Sequence, residues 1–122
     1  MLREIISVAL GGALGSVLRY LAGRCAAALH LTSFPAATLT VNLLGCLLIG
    51  IFYGIFEKST SNTANAFFVI GLCGGFTTFS SFAGEILKMT DRSEWLTSAI
   101  YLAASIFFGI LLVALGRWMT KL

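Results

Sequence analysis

The residues at 71–84 have the most unusual composition in the sequence. They read Gly-Leu-Cys-Gly-Gly-Phe-Thr-Thr-Phe-Ser-Ser-Phe-Ala-Gly within a long apolar stretch. Two adjacent glycines followed by Thr-Thr and Ser-Ser make a poor continuous helix. We therefore expect a break, which must face protein or a cavity rather than lipid. Its free carbonyl oxygens suit a hard cation such as Na⁺ or K⁺. Phe79 and Phe82 follow the expected break on one face, and taken alone they indicate packing.

Uncharged polar side chains recur at helical spacing in the neighbouring apolar stretches. Thr38 and Asn42 are four residues apart and share one helix face, and the same holds for Tyr101 and Ser105. An amide within a membrane must find a hydrogen-bond partner. Asn42 therefore either joins two helices or presents a donor to a water-filled path, and the residues alone leave both interpretations open.

The two clear candidates for ionisable side chains inside a span are Arg19 in the first apolar stretch and Glu85 near the end of the third. Such groups are costly in a membrane and are usually functional. Both are near a predicted helix end, so each can also extend to the interface. Lys88, three residues after Glu85, offers that carboxylate a local partner.

The composition predicts that these residues are positioned by membrane-spanning helices. Of 122 residues, 58% are hydrophobic and only 11% are charged, whereas soluble domains carry about 25% charged residues. Apolar residues cluster at 5–29, 36–56, 64–87 and 95–118, each near or above the roughly 20 residues that span a bilayer. Short polar connections lie at 30–35, 57–63 and 88–94. We predict an all-α membrane protein with one four-helix domain at residues 1–122.

Basic residues are nearly balanced between the two membrane faces. With four spans, one face carries Arg3, Lys58, Arg117 and Lys121, and the other carries Arg24, Lys88 and Arg92. Because an excess of Lys and Arg fixes orientation, this balance predicts dual topology and an antiparallel pair. Glycines four residues apart predict close helix packing. These are Gly11 and Gly15, Gly50 and Gly54, and Gly71 and Gly75.

Three motifs make the chain resemble the Fluc (CrcB) fluoride channel family over nearly its whole length. The first is Gly-Gly-Ala-Leu-Gly-Ser-Val-Leu-Arg-Tyr at 11–20, and the second is Thr-Leu-Thr-Val-Asn-Leu-Leu-Gly at 38–45. The third is Gly-Leu-Cys-Gly-Gly-Phe-Thr-Thr-Phe-Ser-Ser-Phe at 71–82. The resemblance implies passive, fluoride-selective export from the cytoplasm through a multi-pass protein of the inner (plasma) membrane.

The resemblance also implies the assembly and the site. It implies an antiparallel homodimer with two fluoride pathways and a central structural Na⁺ held by the carbonyls of Gly74 and Thr77. The residues implied to line the pathway are Asn42, Phe79 and Phe82, with Ser81, Thr38, Tyr101 and Ser105 as further polar contacts and Arg19 as a source of positive potential. Hydroxyls, an amide and aromatic ring edges can replace the water around a small anion without holding it too tightly to leave.

Other classes of protein fit the sequence less well. A four-span drug exporter needs a carboxylate deep in the membrane, and Glu85 is the alternative for that role. An intramembrane enzyme is not expected, because the single histidine, His30, lies in a connection and no base is evident near Ser80 or Ser81. A purely structural subunit is a third alternative. The net charge of +3 comes from scattered basic residues, so we expect no nucleic-acid partner.

Overall fold

A computed structural model describes residues 1–31 and 34–122, and most of them are helical. The elements are α1 (Leu2–Ala28), α2 (Ala36–Phe56), α3 (Asn62–Asn65), a π-helical segment (Ala66–Cys73), α4 (Gly74–Phe76), α5 (Phe79–Asp91) and α6 (Trp95–Met119). Elements from α3 to α5 together form the third span, Asn62–Asp91. Part of the connection predicted at 30–35 lies outside the described residues.

Four stretches of the described chain are long and apolar enough to cross a membrane, namely α1, α2, the third span and α6. This confirms the predicted all-α membrane protein. The second span has the predicted bounds, whereas the third continues to Asp91, because α5 extends past the apolar stretch. Trp95 and Trp118 are largely exposed near the two ends of α6, as interfacial anchors are.

Glycines bring the helices into backbone contact within one chain. The first span packs on the third, and α2 packs on α6. A Cβ atom at Gly11 or Gly15 would overlap the carbonyl oxygens of Phe67 and Leu72, and one at Gly50 would overlap that of Val113. This confirms that small residues at a spacing of four serve close packing.

One stability prediction follows from this packing. Gly15→Ala should destabilise the fold by about 1–3 kcal/mol, because the new methyl group meets backbone that cannot move aside. Gly84→Ala is the matched control, since a Cβ atom there meets nothing within 4 Å, and it should be neutral or slightly stabilising. Thermal unfolding of both variants in detergent tests this. Equal midpoints for the two variants would contradict it.

The π-helical segment at Ala66–Cys73 was not predicted from the sequence. In a π-helix each N–H bonds the carbonyl five residues earlier, which widens the turn, and such segments are frequent at functional sites. Here the segment runs directly into α4 and the break. The segment packs mainly against α1 and also contacts α2.

Candidate functional site

The third span is interrupted at two threonines. Thr77 has φ −89° and ψ 159°, and Thr78 has φ −150° and ψ 114°, so both are extended between α4 and α5. Gly74 and Gly75 are themselves helical. The predicted break is confirmed, but it lies just after the glycines rather than at them. The Thr78 hydroxyl caps α5 by accepting from the N–H of Ser81 at 3.2 Å.

Asn42 on α2 binds the backbone at this break. Its Nδ2 donates to the carbonyl oxygen of Thr78 at 3.1 Å, and its Oδ1 accepts from the N–H of Thr78 at 2.8 Å. The side chain thus satisfies both backbone groups of a residue that has left the helix. Of the two interpretations left open for Asn42, the bond between helices is present. Because a primary amide carries two N–H donors, one donor remains for another ligand.

The break removes the usual helical donors from two carbonyl groups. In a continuous helix the Gly74 carbonyl would accept from the N–H of Thr78, which instead donates to Asn42. The Thr77 carbonyl would accept from the N–H of Ser81, which instead donates to the Thr78 hydroxyl. Oxygen atoms of this kind fit a hard cation. Within residues 1–31 and 34–122, no group of three or more His, Cys, Asp or Glu is placed to hold a metal, so a cation here would depend on the carbonyls.

A groove of about 420 Å³ runs past the break between α2, the third span and α6. Among the residues lining it are Asn42, Gly74, Thr77, Phe79, Phe82 and Ser105. The rings of Phe79 and Phe82 lie 5.8 Å apart, but Phe79 is 79% exposed while Phe82 is only 8% exposed. The groove is therefore open on the side of Phe79 in the single chain.

Glu85 is the centre of a second polar cluster. Its Oε1 accepts from the Thr38 hydroxyl at 2.6 Å, and its Oε2 accepts from the Tyr101 hydroxyl at 2.7 Å. Tyr101 is fully buried, and its ring packs edge-on against Phe82 at a centroid distance of 5.1 Å. The cluster joins α2, α5 and α6 through one carboxylate.

Lys88, which the sequence suggests as an ion-pair partner for Glu85, does not bind it. Within the described part of the chain Glu85 makes no salt bridge with Lys88, and its two oxygens face Thr38 and Tyr101 instead. The sequence contains a usable signal, because a carboxylate within a span needs hydrogen-bond donors and the neighbouring spans carry the hydroxyls of Thr38 and Tyr101. Glu85, Thr38, Lys88 and Arg92 line a cavity of about 310 Å³ at that membrane face.

Two further candidates lie away from the groove. The Nε of Arg19 donates to the carbonyl oxygen of Gly75 at 3.0 Å, which ties α1 to α4. Ser81 stands in the first turn of α5 and is outside the described lining of the groove. The structure thus brings Asn42, Phe79, Phe82 and Ser105 together, whereas Thr38 and Tyr101 gather at Glu85.

Comparison with known proteins supplies the family. The family model described as CrcB-like protein, Camphor Resistance (CrcB), matches residues 6–117. A relative from Flavobacterium psychrophilum, named fluoride-specific ion channel FluC, is 40% identical, with 98% of each chain covered. A relative of the same name from Phocaeicola vulgatus is 40% identical, with 98% of this chain and 100% of its own length covered.

These findings confirm the resemblance drawn from the three sequence motifs. A third relative named fluoride-specific ion channel FluC, from Helicobacter pylori, is 40% identical over 93% of this chain and 89% of its own length. These relatives are named as ion channels and not as enzymes, in agreement with our expectation for this chain. Together with the four spans, the matches show that the chain belongs to the CrcB family and is a multi-pass protein of the plasma membrane.

Proposed function

We propose that the protein is a fluoride-selective ion channel that lets fluoride leave the cytoplasm passively and so lowers fluoride toxicity. The observation that carries this proposal is the match, over 98% of both chains, to a relative named fluoride-specific ion channel. The groove beside the broken third span supports it independently, because its polar lining groups are uncharged.

The groove offers what a small, strongly hydrated anion requires. Asn42 has one amide N–H beyond its bond to Thr78, and the Ser105 hydroxyl lies in the same groove. The rings of Phe79 and Phe82 can present edges of partial positive charge. Several weak donors let an anion enter and still leave, whereas a fixed cation in the groove would hold it. Outside the groove, we also assign to the pathway Ser81 and the two hydroxyl residues at Glu85, Thr38 and Tyr101, with Arg19 as a source of positive potential.

Growth in fluoride tests the proposed role in a cell. Cells that lack their own fluoride exporter should tolerate more fluoride when they express this chain, because the channel drains ion that enters as neutral HF. Tolerance to added chloride should not change. Unchanged sensitivity to fluoride in cells with protein in the membrane would contradict the proposal.

The exposed groove also supports a dimer. Non-helical backbone at membrane depth is tolerated only in protein or beside a water-filled cavity. Yet Gly74 and Phe79, on either side of the break, are both exposed on the single chain. A second copy over this surface would cover the break and close the groove. We propose an antiparallel homodimer with two pathways, one along each subunit's groove.

Dual topology is the prediction that distinguishes this arrangement from a parallel pair. Apart from Arg19, the basic residues divide four to three between the expected membrane faces, too evenly to fix one orientation. A tag that carries a cysteine or a protease site is added after Leu122. Membrane-impermeant thiol reagent or protease should therefore modify the tag from both sides of the membrane. If every tag is reached from one side only, the antiparallel dimer is wrong.

A sodium ion at the dimer centre is the second prediction about the assembly. Two antiparallel subunits would bring the carbonyls of Gly74 and Thr77 from both chains together, giving four oxygens. In each subunit, an ion there would also offset the negative C-terminal end of the half-helix that ends at Phe76. We expect a high-resolution structure in sodium buffer to contain a cation between the two breaks, and the dimer to dissociate more readily when sodium is replaced by N-methylglucamine. Absence of both effects would exclude the ion.

A further inference from the structure

The C-terminal ends of α2 and α6 meet at one membrane face and are joined by an ion pair. A Cβ atom at Gly54 would overlap the side chain of Thr120, so the last turns of the two helices lie against each other. Glu57 is the first residue after α2, and its Oε1 accepts from Nη2 of Arg117 on α6 at 2.7 Å. This pair therefore connects two helix ends that are already in contact.

Two lysines add positive charge around this ion pair. Lys58 and Lys121 are exposed, and across residues 1–31 and 34–122 neither takes part in a salt bridge. The hydrogen bond and the charge of Arg117, together with the charges of Lys121 and Lys58, lower the pKa of Glu57. All three cations therefore act on one carboxylate, and the basic end cluster, defined as Lys58, Arg117 and Lys121, carries more charge than Glu57 can neutralise.

Helix ends alone do not account for the two lysines. Free carbonyl groups at a helix C-terminus attract cations, but other donors already bind some of them here. The Phe56 carbonyl accepts from the N–H of Ser59 at 3.0 Å, and the Arg117 carbonyl accepts from the Thr120 hydroxyl at 2.6 Å. In the part of the chain that the structure describes, neither lysine ammonium group donates a hydrogen bond to these carbonyls. Both ammonium groups are therefore available to a ligand.

A cavity of about 320 Å³, the end cavity, opens where α2 and α6 end and the third span begins. Its lining residues are Tyr53, Phe56, Glu57, Asn65 and Arg117. The Arg117 guanidinium keeps donors beyond its bond to Glu57, and the Asn65 amide and the Tyr53 hydroxyl add further ones. Such donors bind the oxygens of a phosphate group. The second oxygen of the Glu57 carboxylate can accept from a hydroxyl group of the same ligand.

The end cavity lies at the depth of the lipid headgroups. Glu57 directly follows the last residue of α2, and Arg117 is two residues before the end of α6, about 3 Å along the helix axis. Tyr53 and Trp118 are 47% and 56% exposed, as is usual for aromatic residues at the membrane interface. Basic residues clustered at the ends of membrane-spanning helices attract anionic lipids. A lipid headgroup is therefore the source of phosphate that this position favours.

We propose that the end cavity and the basic end cluster bind the headgroup of an anionic phospholipid such as phosphatidylglycerol. Arg117 and the two lysines bind the phosphate, and Glu57 accepts from a hydroxyl group of the headgroup. The site contains none of the residues assigned to the fluoride pathway or to the cation. On α2 the lining of the groove ends at Ile49, four residues before Tyr53, so the end cavity is one helical turn nearer the membrane surface.

Native mass spectrometry of the detergent-purified protein tests this, with phosphatidylglycerol and phosphatidylethanolamine of the same acyl chains as probes. We expect phosphatidylglycerol to bind about tenfold more tightly, because each basic residue beside an anionic lipid is worth about fivefold in affinity. The double variant Lys58→Gln, Lys121→Gln keeps the ion pair and should reduce this preference to within about twofold. Arg3→Gln is the matched control, since Arg3 is exposed on α1 at the same expected membrane face, and it should keep the preference.

Glu57→Gln gives a prediction of the opposite sign. It removes the competing negative charge but keeps an acceptor for the headgroup hydroxyl, so phosphatidylglycerol should bind about fivefold more tightly than to the parent protein. If the ion pair serves only to join α2 and α6, the same variant should unfold at a lower temperature and bind the lipid as the parent does. Unchanged affinity in Glu57→Gln would therefore overturn the proposal.

The remaining outcomes concern the source of the phosphate. Inorganic phosphate should displace phosphatidylglycerol no better than chloride does at equal ionic strength, and specific competition by phosphate would overturn the assignment to a lipid. Equal binding of the two lipids, or a full preference in the double lysine variant, would overturn it as well. Because binding is measured without transport, each of these failures leaves the proposed channel function intact.

Discussion

Asn42→Asp is expected to remove most fluoride flux from a protein that still assembles. A carboxylate has no N–H to donate to the anion or to the Thr78 carbonyl that Asn42 now binds at 3.1 Å. It also adds negative charge to the groove. Loss of a hydrogen bond to a charged group is worth about tenfold or more in rate, so we expect at least that decrease in fluoride efflux from liposomes.

A matched substitution separates this effect from a general effect of added charge. Asn62→Asp places the same change in the first turn of α3, at an exposed position, where a carboxylate is favoured by the helix dipole. Its flux should equal that of the parent protein. Size-exclusion chromatography must show both variants in the parent's oligomeric state. Parent-level flux in a correctly assembled Asn42→Asp protein would remove Asn42 from the pathway.

Phe79→Ile and Phe82→Ile are expected to decrease fluoride flux by about tenfold each, because the loss of a ring edge removes a partial positive charge from the anion's path. A packing role predicts a different pattern. Phe82 is 8% exposed and Phe79 is 79% exposed on the single chain, so packing within one chain would make Phe82→Ile destabilising and leave Phe79→Ile without effect on the stability of the subunit.

Comparing the fluoride flux and the stability of Phe79→Ile and Phe82→Ile therefore distinguishes the two roles. Phe107→Ile, at a ring that is 64% exposed on α6, is the control for loss of an exposed aromatic residue and should conduct like the parent. Flux through each variant should be compared with its thermal midpoint. If flux follows stability alone, and Phe79→Ile conducts normally, the rings pack and do not contact fluoride.

The sequence predicted what depends on composition and local spacing. The lengths of the apolar stretches predict the four spans. Gly74, Gly75 and the threonines after them predict the break, because these residue types each disfavour a helix. The close approach of α1 and the third span could be anticipated from Gly11 and Gly15, since small residues impose it in any membrane protein.

What the sequence left open depends on contacts between distant residues. The bond from Asn42 to Thr78 spans 36 positions, and the bond from Thr38 to Glu85 spans 47. Local spacing therefore indicates Lys88 as the partner of Glu85, whereas the structure places Thr38 and Tyr101 there. The π-helical segment at Ala66–Cys73 also escaped prediction, because its apolar residues are compatible with an ordinary α-helix.

The central claim is that this chain conducts fluoride and rejects chloride. To test this claim, purified protein is reconstituted in liposomes that are loaded with either potassium fluoride or potassium chloride. Efflux of the anion is measured after a potassium ionophore is added. We predict rapid fluoride efflux and chloride efflux no faster than from protein-free liposomes. Equal efflux of the two anions, or no fluoride efflux from liposomes that contain assembled protein, would contradict the account.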